Sequence, residues 1–204
     1  MNLDEKRKAE DLADQDAIGR VLAGDRNAFA GVVRRHHGSM YRVAWRLLGD
    51  RALAEEATQE ALARAYTNLG SFRGDCSARP WLFRILLNLC RDLNKSAPRR
   101  EHACEDPTAG GMLRAVGSVE PAVAEDGVQR RRALEVLQQA IWALPIDQRE
   151  ALVMRLLEDE PYERVSEALG VPVGALKVRV HRARRRLKEL LGPLLDDIIS
   201  KEAA

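Results

Sequence analysis

The clearest chemical pattern in this sequence is a row of three cations and one asparagine that begins at a tryptophan. Five residues spaced by three and four positions share one face of a predicted helix: Trp81, Arg84, Asn88, Arg91 and Lys95. A row of cations can follow a phosphate backbone while an aromatic ring stacks on an unpaired base, and each stack contributes about 1–3 kcal/mol. The periodicity supports two interpretations equally: a surface for single-stranded nucleic acid, or a half-buried Trp81 beside solvated cations.

A second cationic helix is expected near the carboxyl end. A helix over 163–169, a tight turn at Gly170 and a helix from about 174 to 190 follow the order of a helix-turn-helix. One face of the last helix is apolar and should pack on its own domain: Leu176, Val180, Ala183 and Leu187. The opposite face carries one apolar residue among cations: Val178, His181, Arg182 and Arg185. This mixture favours duplex DNA, because cations bind phosphates and a valine can contact a thymine methyl; a solvated or acid-binding face is the alternative.

Helical periodicity divides the chain into the parts that would position these two faces. The periodic pattern is expected to break at four places in the first half: Gly24, Gly38, Gly49 and the segment 70–74. We predict five parts: an extension (1–15), a helical domain (16–95), a flexible linker rich in proline and glycine (96–130), a second helical domain (131–195) and a tail (196–204). Four short helices are expected in the second domain. The predicted fold class is therefore all-α, with two small helical domains.

Composition excludes several classes of protein. The 204 residues are 46% hydrophobic, 4% aromatic and 31% charged, which is typical of a soluble helical protein. The net charge of +2 is too small to indicate a partner by itself. The apolar runs are too short to cross a bilayer, and the first ten residues are charged where a signal peptide is apolar. We expect no membrane insertion and a cytoplasmic location.

Residues that could serve catalysis or hold a metal are not arranged for either role. No Ser/His/Asp, HExxH, Walker or zinc-ligand spacing occurs, and the acidic residues are expected on solvated helical faces beside cations. We predict a protein that is not an enzyme and that needs no cofactor or metal, with His181 as a surface histidine. Cys76, Cys90 and Cys104 are odd in number and form no CxxC pair, so free thiols are expected.

The carboxyl-terminal half resembles a known family. The segment LPIDQREALVMRLLEDEPYERVSEALGVPVGALKVRVHRARRRL (144–187) is similar to region 4 of sigma-70 factors. The resemblance implies that the last helix enters the major groove of the -35 promoter element. By position its readers would be Lys177, Val178, His181 and Arg182, and the face described above adds Arg185. Pro161 and Arg164 stand where the family usually has a Ser/Glu capping box. Ala175 and Val178 stand where Thr and Ser are common, so promoter preference is expected to shift.

Two segments of the amino-terminal half are similar to region 2 of the same family. The segment SFRGDCSARPWLFRILLNLCRDL (71–93) resembles regions 2.3 and 2.4, which trap the opened -10 element. The resemblance assigns six residues to a loop and helix on the non-template strand: Phe72, Arg73, Ser77, Trp81, Arg84 and Asn88. Arg91 and Lys95 of the stripe extend this predicted surface. Leu86-Leu87 depart from the family, which usually has a small residue and an arginine there.

The segment LLGDRALAEEATQEALARAYTNL (47–69) resembles region 2.2, which docks on the clamp of RNA polymerase. Glu56, Gln59 and Glu60 are implied polymerase contacts, whereas Leu53 stands where an aspartate is usual. Regions 2 and 4 joined by a linker define the extracytoplasmic-function (ECF) group of sigma factors. The resemblance implies three partners: polymerase core through its clamp and flap, promoter DNA, and an anti-sigma factor. A one-component helix-turn-helix regulator acting without polymerase is the alternative.

Overall fold

Eight α-helices make up most of the part of the chain that the structure describes. The computed structural model describes residues 3–72, 77–96 and 125–202. The helices are α1 (Leu3–Leu22), α2 (Phe29–Leu48), α3 (Arg51–Thr67), α4 (Ala78–Ser96), α5 (Glu125–Trp142), α6 (Ile146–Leu152), α7 (Tyr162–Leu169) and α8 (Val173–Glu202). Short 3-10 turns lie at Arg26–Ala28 and Leu69–Ser71, and a π-helical turn, Val153–Leu157, follows α6. Within the described ranges no strand occurs, which agrees with the all-α prediction.

The turn between α2 and α3 shows how local sequence ends one helix and starts the next. Gly49 ends α2 in the left-handed region, with φ of 75°, and its amide donates to Trp45 O. A Cβ at this position would also lie 3.0 Å from the Trp142 ring, so both the backbone conformation and the available space favour glycine. Asp50 then caps α3, because its carboxylate accepts from the amides of Ala52 at 2.8 Å and Leu53 at 3.1 Å.

Replacing the Asp50 cap should weaken α3 without touching the core. Asp50→Ala leaves two first-turn amides without their carboxylate acceptor, and we expect the free energy of unfolding to fall by about 0.5–2 kcal/mol. Urea denaturation followed by far-ultraviolet circular dichroism measures this change. Asp50→Ser, which restores a capping oxygen, should recover most of the loss; equal destabilisation by both substitutions would contradict the capping role.

The predicted break at Gly38 is wrong, because this residue lies inside α2. An interior glycine costs a helix about 1 kcal/mol relative to alanine, but α2 recovers more by burying a whole apolar face. That face includes Val32, Met40, Val43 and Leu47, each at most 1% exposed. Packing therefore overrides the local preference of one glycine.

The amino-terminal residues are part of the first group of helices. Asp14, which is fully buried, accepts from Arg35 Nε at 2.7 Å and lies 2.6 Å from His36 Nε2 on α2. Helix α1 thus runs across the boundary predicted between residues 15 and 16. A buried carboxylate must be paired, and only the fold brings its partners within reach.

The second group begins earlier and ends later than predicted. Helix α5 starts at Glu125, inside the expected linker, and α8 runs to Glu202, into the expected tail. No glycine or proline interrupts residues 194–202, so the sequence contains no helix breaker there. Four helices form here as expected, but α8 is long. The rest of the predicted linker, 97–124, lies outside the described residues.

Helix α4 lies at the centre of the molecule and is buried on more than one side. It packs against α2 and α3 of its own group and against α7 of the second group. Leu82 and Leu86 are fully buried and Leu89 nearly so, and Phe83, Leu87 and Cys90 are fully buried as well. The second buried face explains why Leu86 and Leu87 can both be apolar. Apolar residues of both groups join in one core. None of the described helices is long and apolar enough to serve as a membrane span.

Candidate nucleic-acid interface

The -10 candidates on α4 share one face, as predicted. Arg84 and Asn88 are exposed, and Trp81 is half-buried against the core, with its ring centroid 5.1 Å from that of Phe72. One side of the indole is anchored and the rest is accessible, so Trp81 is half-buried, and the nucleic-acid surface stays a prediction. Ser77 directly precedes the first residue of α4, and Arg73 lies outside the described residues.

The two last members of the stripe are ion-paired. Arg91 Nη2 lies 2.7 Å from Glu150 Oε2 of α6, and Arg91 Nη1 donates to Asn88 Oδ1 at 3.0 Å. Lys95 is exposed and lies 3.6 Å from Asp92 on the same helix. Burial raises the pKa of Glu150, and the Arg91 hydrogen bond opposes that rise. Sequence periodicity could not reveal the Glu150 partner, because the two residues are 59 positions apart.

The -35 candidates on α8 all face solvent. Leu176 and Ala183 are fully buried and Val180 nearly so, which fixes the opposite face outward. On that face five residues are exposed: Lys177, Val178, His181, Arg182 and Arg185. Val178 is 47% exposed, an unusual place for a β-branched apolar side chain. Lys177 Nζ lies 5.7 Å from the centroid of the Tyr162 ring, and Arg185 Nε lies 3.6 Å from Glu189. These contacts orient two of the cationic side chains on this face.

The turn before α8 has the geometry that a helix-turn-helix needs. Gly170 ends α7 in the left-handed region with φ of 66°, and its amide donates to Ser166 O at 2.9 Å. Pro161 is the N-cap of α7 and supplies no side-chain hydrogen bond, as the departure from the capping box implied. Arg164, at the other capping-box position, instead lies 2.5 Å from Asp11 Oδ2 of α1.

The outer face of α3 carries the three polymerase candidates. Glu56, Gln59 and Glu60 are all exposed, and Ala54, Thr58 and Ala61 beneath them are fully buried. Gln59 Nε2 donates to Glu55 at 2.8 Å and Glu60 lies 2.6 Å from Arg64, both with neighbours one turn away on the same helix. These contacts are local, so the face is free for a larger partner.

Three carboxylates of the second group are buried, against the expectation of solvated acidic faces. Glu150 and Glu160 are 1% and 3% exposed, and the side chain of Glu158 is 4% exposed. Each lies beside an arginine of the first group of helices. Charge patterning along the sequence cannot show this, since every partner is distant in the chain.

Nothing in the described part of the chain offers a metal site or a reactive thiol. No group of three or more His, Cys, Asp or Glu side chains is placed to hold a metal ion there. Cys90 is a free thiol, as predicted, and burial raises its pKa to about 12, which keeps it protonated and unreactive at neutral pH. Cys76 and Cys104 lie outside the described residues.

Comparisons with known proteins agree with this architecture. Residues 32–100 match the family model described as sigma-70 region 2, and residues 134–187 match the one described as sigma-70, region 4. The first match spans α2 to α4, and the second contains the helix-turn-helix.

Curated relatives span nearly the same length as this chain. The ECF RNA polymerase sigma factor SigW of Bacillus subtilis is 33% identical over 179 residues, which cover 87% of this chain and 96% of SigW. The ECF RNA polymerase sigma factor SigM of Mycobacterium tuberculosis is 36% identical over 182 residues, 89% of this chain and 86% of SigM.

A similar structure is that of the sigma factor RpoE from Bartonella quintana, solved with the anti-sigma factor NepR. It superimposes with a TM-score of 0.61 at 26% identity, over 80% of this chain and 96% of RpoE. The all-α fold, the two region matches and the full-length relatives lead to one assignment. The chain belongs to the sigma-70 family of RNA polymerase sigma factors, in the extracytoplasmic-function group.

Proposed function

We propose that this chain binds RNA polymerase core and directs it to specific promoters, with α8 reading the -35 element as duplex and α4 capturing the -10 element as strands separate. The single observation that carries the proposal is the pair of cationic faces on α4 and α8, each backed by a fully buried apolar face of the same helix. Such backing fixes the direction of the readers.

On α8 the proposed reading combines phosphate and base contacts. Arg182 and Arg185 are exposed guanidinium groups that can bind phosphates or guanine edges, and Lys177 adds a third cation. Val178 offers a methyl surface to a thymine. Gly170 allows the tight turn between α7 and α8 that a helix-turn-helix requires.

On α4 the proposed reading is of unpaired bases. Trp81 is held by Phe72 from one side and can stack a base on its accessible part, while Arg84 and Asn88 lie one and two turns further along the exposed face. Strand separation then costs less, because unstacked bases gain protein contacts in place of their neighbours. The chain itself needs no catalytic residue, since the polymerase performs the chemistry.

The outer face of α3 is the proposed docking site for polymerase core. Glu56, Gln59 and Glu60 form an exposed polar row whose present contacts are confined to their own helix. An anti-sigma factor is a further proposed partner, supported by the 26% identical RpoE structure with NepR. The proposed location is the cytoplasm, where the polymerase works.

Run-off transcription on a genomic fragment library tests the proposed function. Purified core polymerase alone should yield no discrete start sites, whereas core with this chain should produce a defined set sharing two short upstream sequences. The absence of any new start site with the added chain would overturn the proposal.

Val178→Ser should change the preferred -35 sequence while leaving the -10 sequence unchanged. The substitution replaces a methyl contact with a hydrogen-bonding hydroxyl, and a change at one base contact alters discrimination by about 1–3 kcal/mol. Selection of promoters from a pool randomised at both elements measures the preference. Ala175→Ser, at the other exposed position where the family commonly has a hydroxyl, tests that second departure in the same pool. Identical -35 preferences for Val178→Ser and the parent would refute the reading role of Val178.

A further inference from the structure

The two groups of helices are joined by a cluster of buried charges that no DNA or polymerase contact requires. Glu158 accepts from Arg42 Nη2 at 3.1 Å and from Arg46 Nη1 at 3.1 Å, both on α2. Glu160 accepts from Arg79 Nε of α4 at 2.5 Å. The side chains of both glutamates are 4% exposed, and those of Arg46 and Arg79 are 22% and 13% exposed. Salt therefore screens these two pairs less than the Arg42 pair, because the Arg42 side chain is 54% exposed.

The backbone between the two glutamates is shaped for this contact. Asp159 has φ of 52°, and among the described residues no other residue except glycine has a positive φ. Aspartate tolerates this left-handed conformation better than most residues, but it still needs support from its surroundings. Arg7 of α1 donates to the Asp159 carbonyl, and Arg155 Nη1 lies 3.2 Å from its carboxylate. We call residues 158–160 the acidic turn.

Polar contacts away from the acidic turn reinforce the same arrangement. Trp142 Nε1 donates to Arg46 O at 3.0 Å and Arg149 Nη1 donates to Leu47 O at 2.6 Å, so the second group caps the carbonyls at the end of α2. Burial lowers the pKa of Arg149 to about 10, which leaves it charged at neutral pH and suited to the negative end of that helix dipole.

This arrangement places α7 over the proposed -10 surface. Trp81 and Arg84 of α4 line a cleft of about 320 Å³ together with Ser166, Glu167 and Gly170 of the α7 region. A Cβ at Gly170 would lie 3.3 Å from Arg84 Nη2, so the helix end and the guanidinium are in contact range. Further along the stripe, Arg91 is occupied by Glu150. A DNA strand following α4 would collide with the second group.

The other two proposed surfaces remain accessible. The α3 face with Glu56 and Glu60 and the α8 face with Val178 and Arg182 are exposed in the same structure. Docking on polymerase core through α3 therefore requires no rearrangement, whereas capture of -10 bases does.

Building on the proposed function, we propose that the α2–α4 arginines form an internal docking surface for the acidic turn, and that the resulting closed form inhibits -10 binding by the free chain. Polymerase core docks first on α3, and separation of the two groups then uncovers Trp81 and Arg84. A binding-competent state that makes up less than about a tenth of the free chain weakens the apparent affinity at least about tenfold.

Distance measurements on the full chain test the closed form without DNA or polymerase. Spin labels at Ala63→Cys on α3 and Lys188→Cys on α8, both exposed, would be used with Cys76 and Cys104 replaced by serine. The parent should give one short distance. Glu158→Lys with Glu160→Lys should give a longer and broader distribution, because two lysines would then face three arginines. The charge-matched control, Asp16→Lys with Glu163→Lys, changes exposed residues that pair with no described side chain and should resemble the parent.

A charge swap protects the test against simple misfolding. Arg42→Glu with Arg46→Glu should open the chain, and adding Glu158→Arg should restore the short distance, which a merely destabilised protein would not do. Unchanged distances in the charge-reversed variant, or no recovery of the short distance in the swap, would overturn the proposed closed form.

The inhibitory part is tested with a fluorescent non-template oligonucleotide taken from a promoter found in the run-off assay. Opened variants should bind it at least about tenfold more tightly than the parent in the absence of polymerase. Longer distances with unchanged affinity would overturn the inhibition. A chain that yields no start sites at all would refute the proposed function instead, since the distance measurements do not depend on it.

Discussion

Open-complex formation is expected to fall roughly 5- to 150-fold when Trp81 is replaced by alanine, while the affinity for polymerase core stays unchanged. The range corresponds to the loss of one base stack, about 1–3 kcal/mol. The substitution also leaves Phe72 without its ring partner, which lies 5.1 Å away in the parent. Permanganate reactivity of unpaired thymines in the promoter measures the open complex, and core affinity is measured separately by fluorescence anisotropy.

Two matched substitutions make this result specific. Trp81→Phe keeps an aromatic face and should retain much of the activity. Asn88→Ala should reduce the open complex about two- to tenfold, whereas Asn94→Ala should have little effect, although both residues are exposed asparagines of α4. Asn94 donates to Cys90 O and Asn88 accepts from Arg91, so each substitution removes one hydrogen bond within α4 and the comparison tests the position on the helix. If the promoter thymines were equally reactive to permanganate with Trp81→Ala and with the parent, α4 would have no role in capturing the -10 element.

Leu176→Ala should lower the free energy of unfolding by about 2–5 kcal/mol, the largest stability effect expected for the second group of helices. Leu176 is fully buried between α8 and the helices beneath it, and truncation leaves a cavity that close-packed neighbours fill only in part. Val178→Ser, two residues later on the exposed face, should change stability by no more than about 0.5 kcal/mol.

These two variants separate the structural role of the buried face of α8 from the proposed DNA-reading role of its exposed face. Urea denaturation should distinguish the two variants in stability, and promoter selection should distinguish them in -35 preference. If Leu176→Ala were as stable as the parent, α8 would not be oriented by its buried face, and the direction assigned to Val178 and Arg182 would lose its support.

Local pattern is sufficient to predict the buried face of α8, although it also predicts a break at Gly38, which lies inside α2. The apolar spacing of α8 placed Leu176, Val180 and Ala183 inward, and the structure confirms each of them as buried. Ala54, Thr58 and Ala61 of α3 are buried with a similar spacing. Such faces follow from a period of 3.6 residues and from burial of one side, both of which are readable from neighbours along the chain.

Contacts between distant residues could not be predicted in this way. The partner of Arg91 is Glu150, that of Arg79 is Glu160, and that of Asp14 is His36, and no spacing rule links them. For the same reason the sequence pattern places Asp14 in an extension and the buried glutamates in solvent. The reading roles of Arg84, Asn88, Val178 and Arg182 are predictions about DNA contacts.

The central claim is that two DNA-reading faces become effective only on RNA polymerase. The most direct test is the dissociation constant for a fluorescent promoter duplex that carries both elements, measured for the chain alone and for the chain bound to polymerase core. We predict specific, tight binding with core and weak binding without discrimination for the chain alone. Equally tight and specific binding without core would contradict the claim and would favour a regulator that acts by itself.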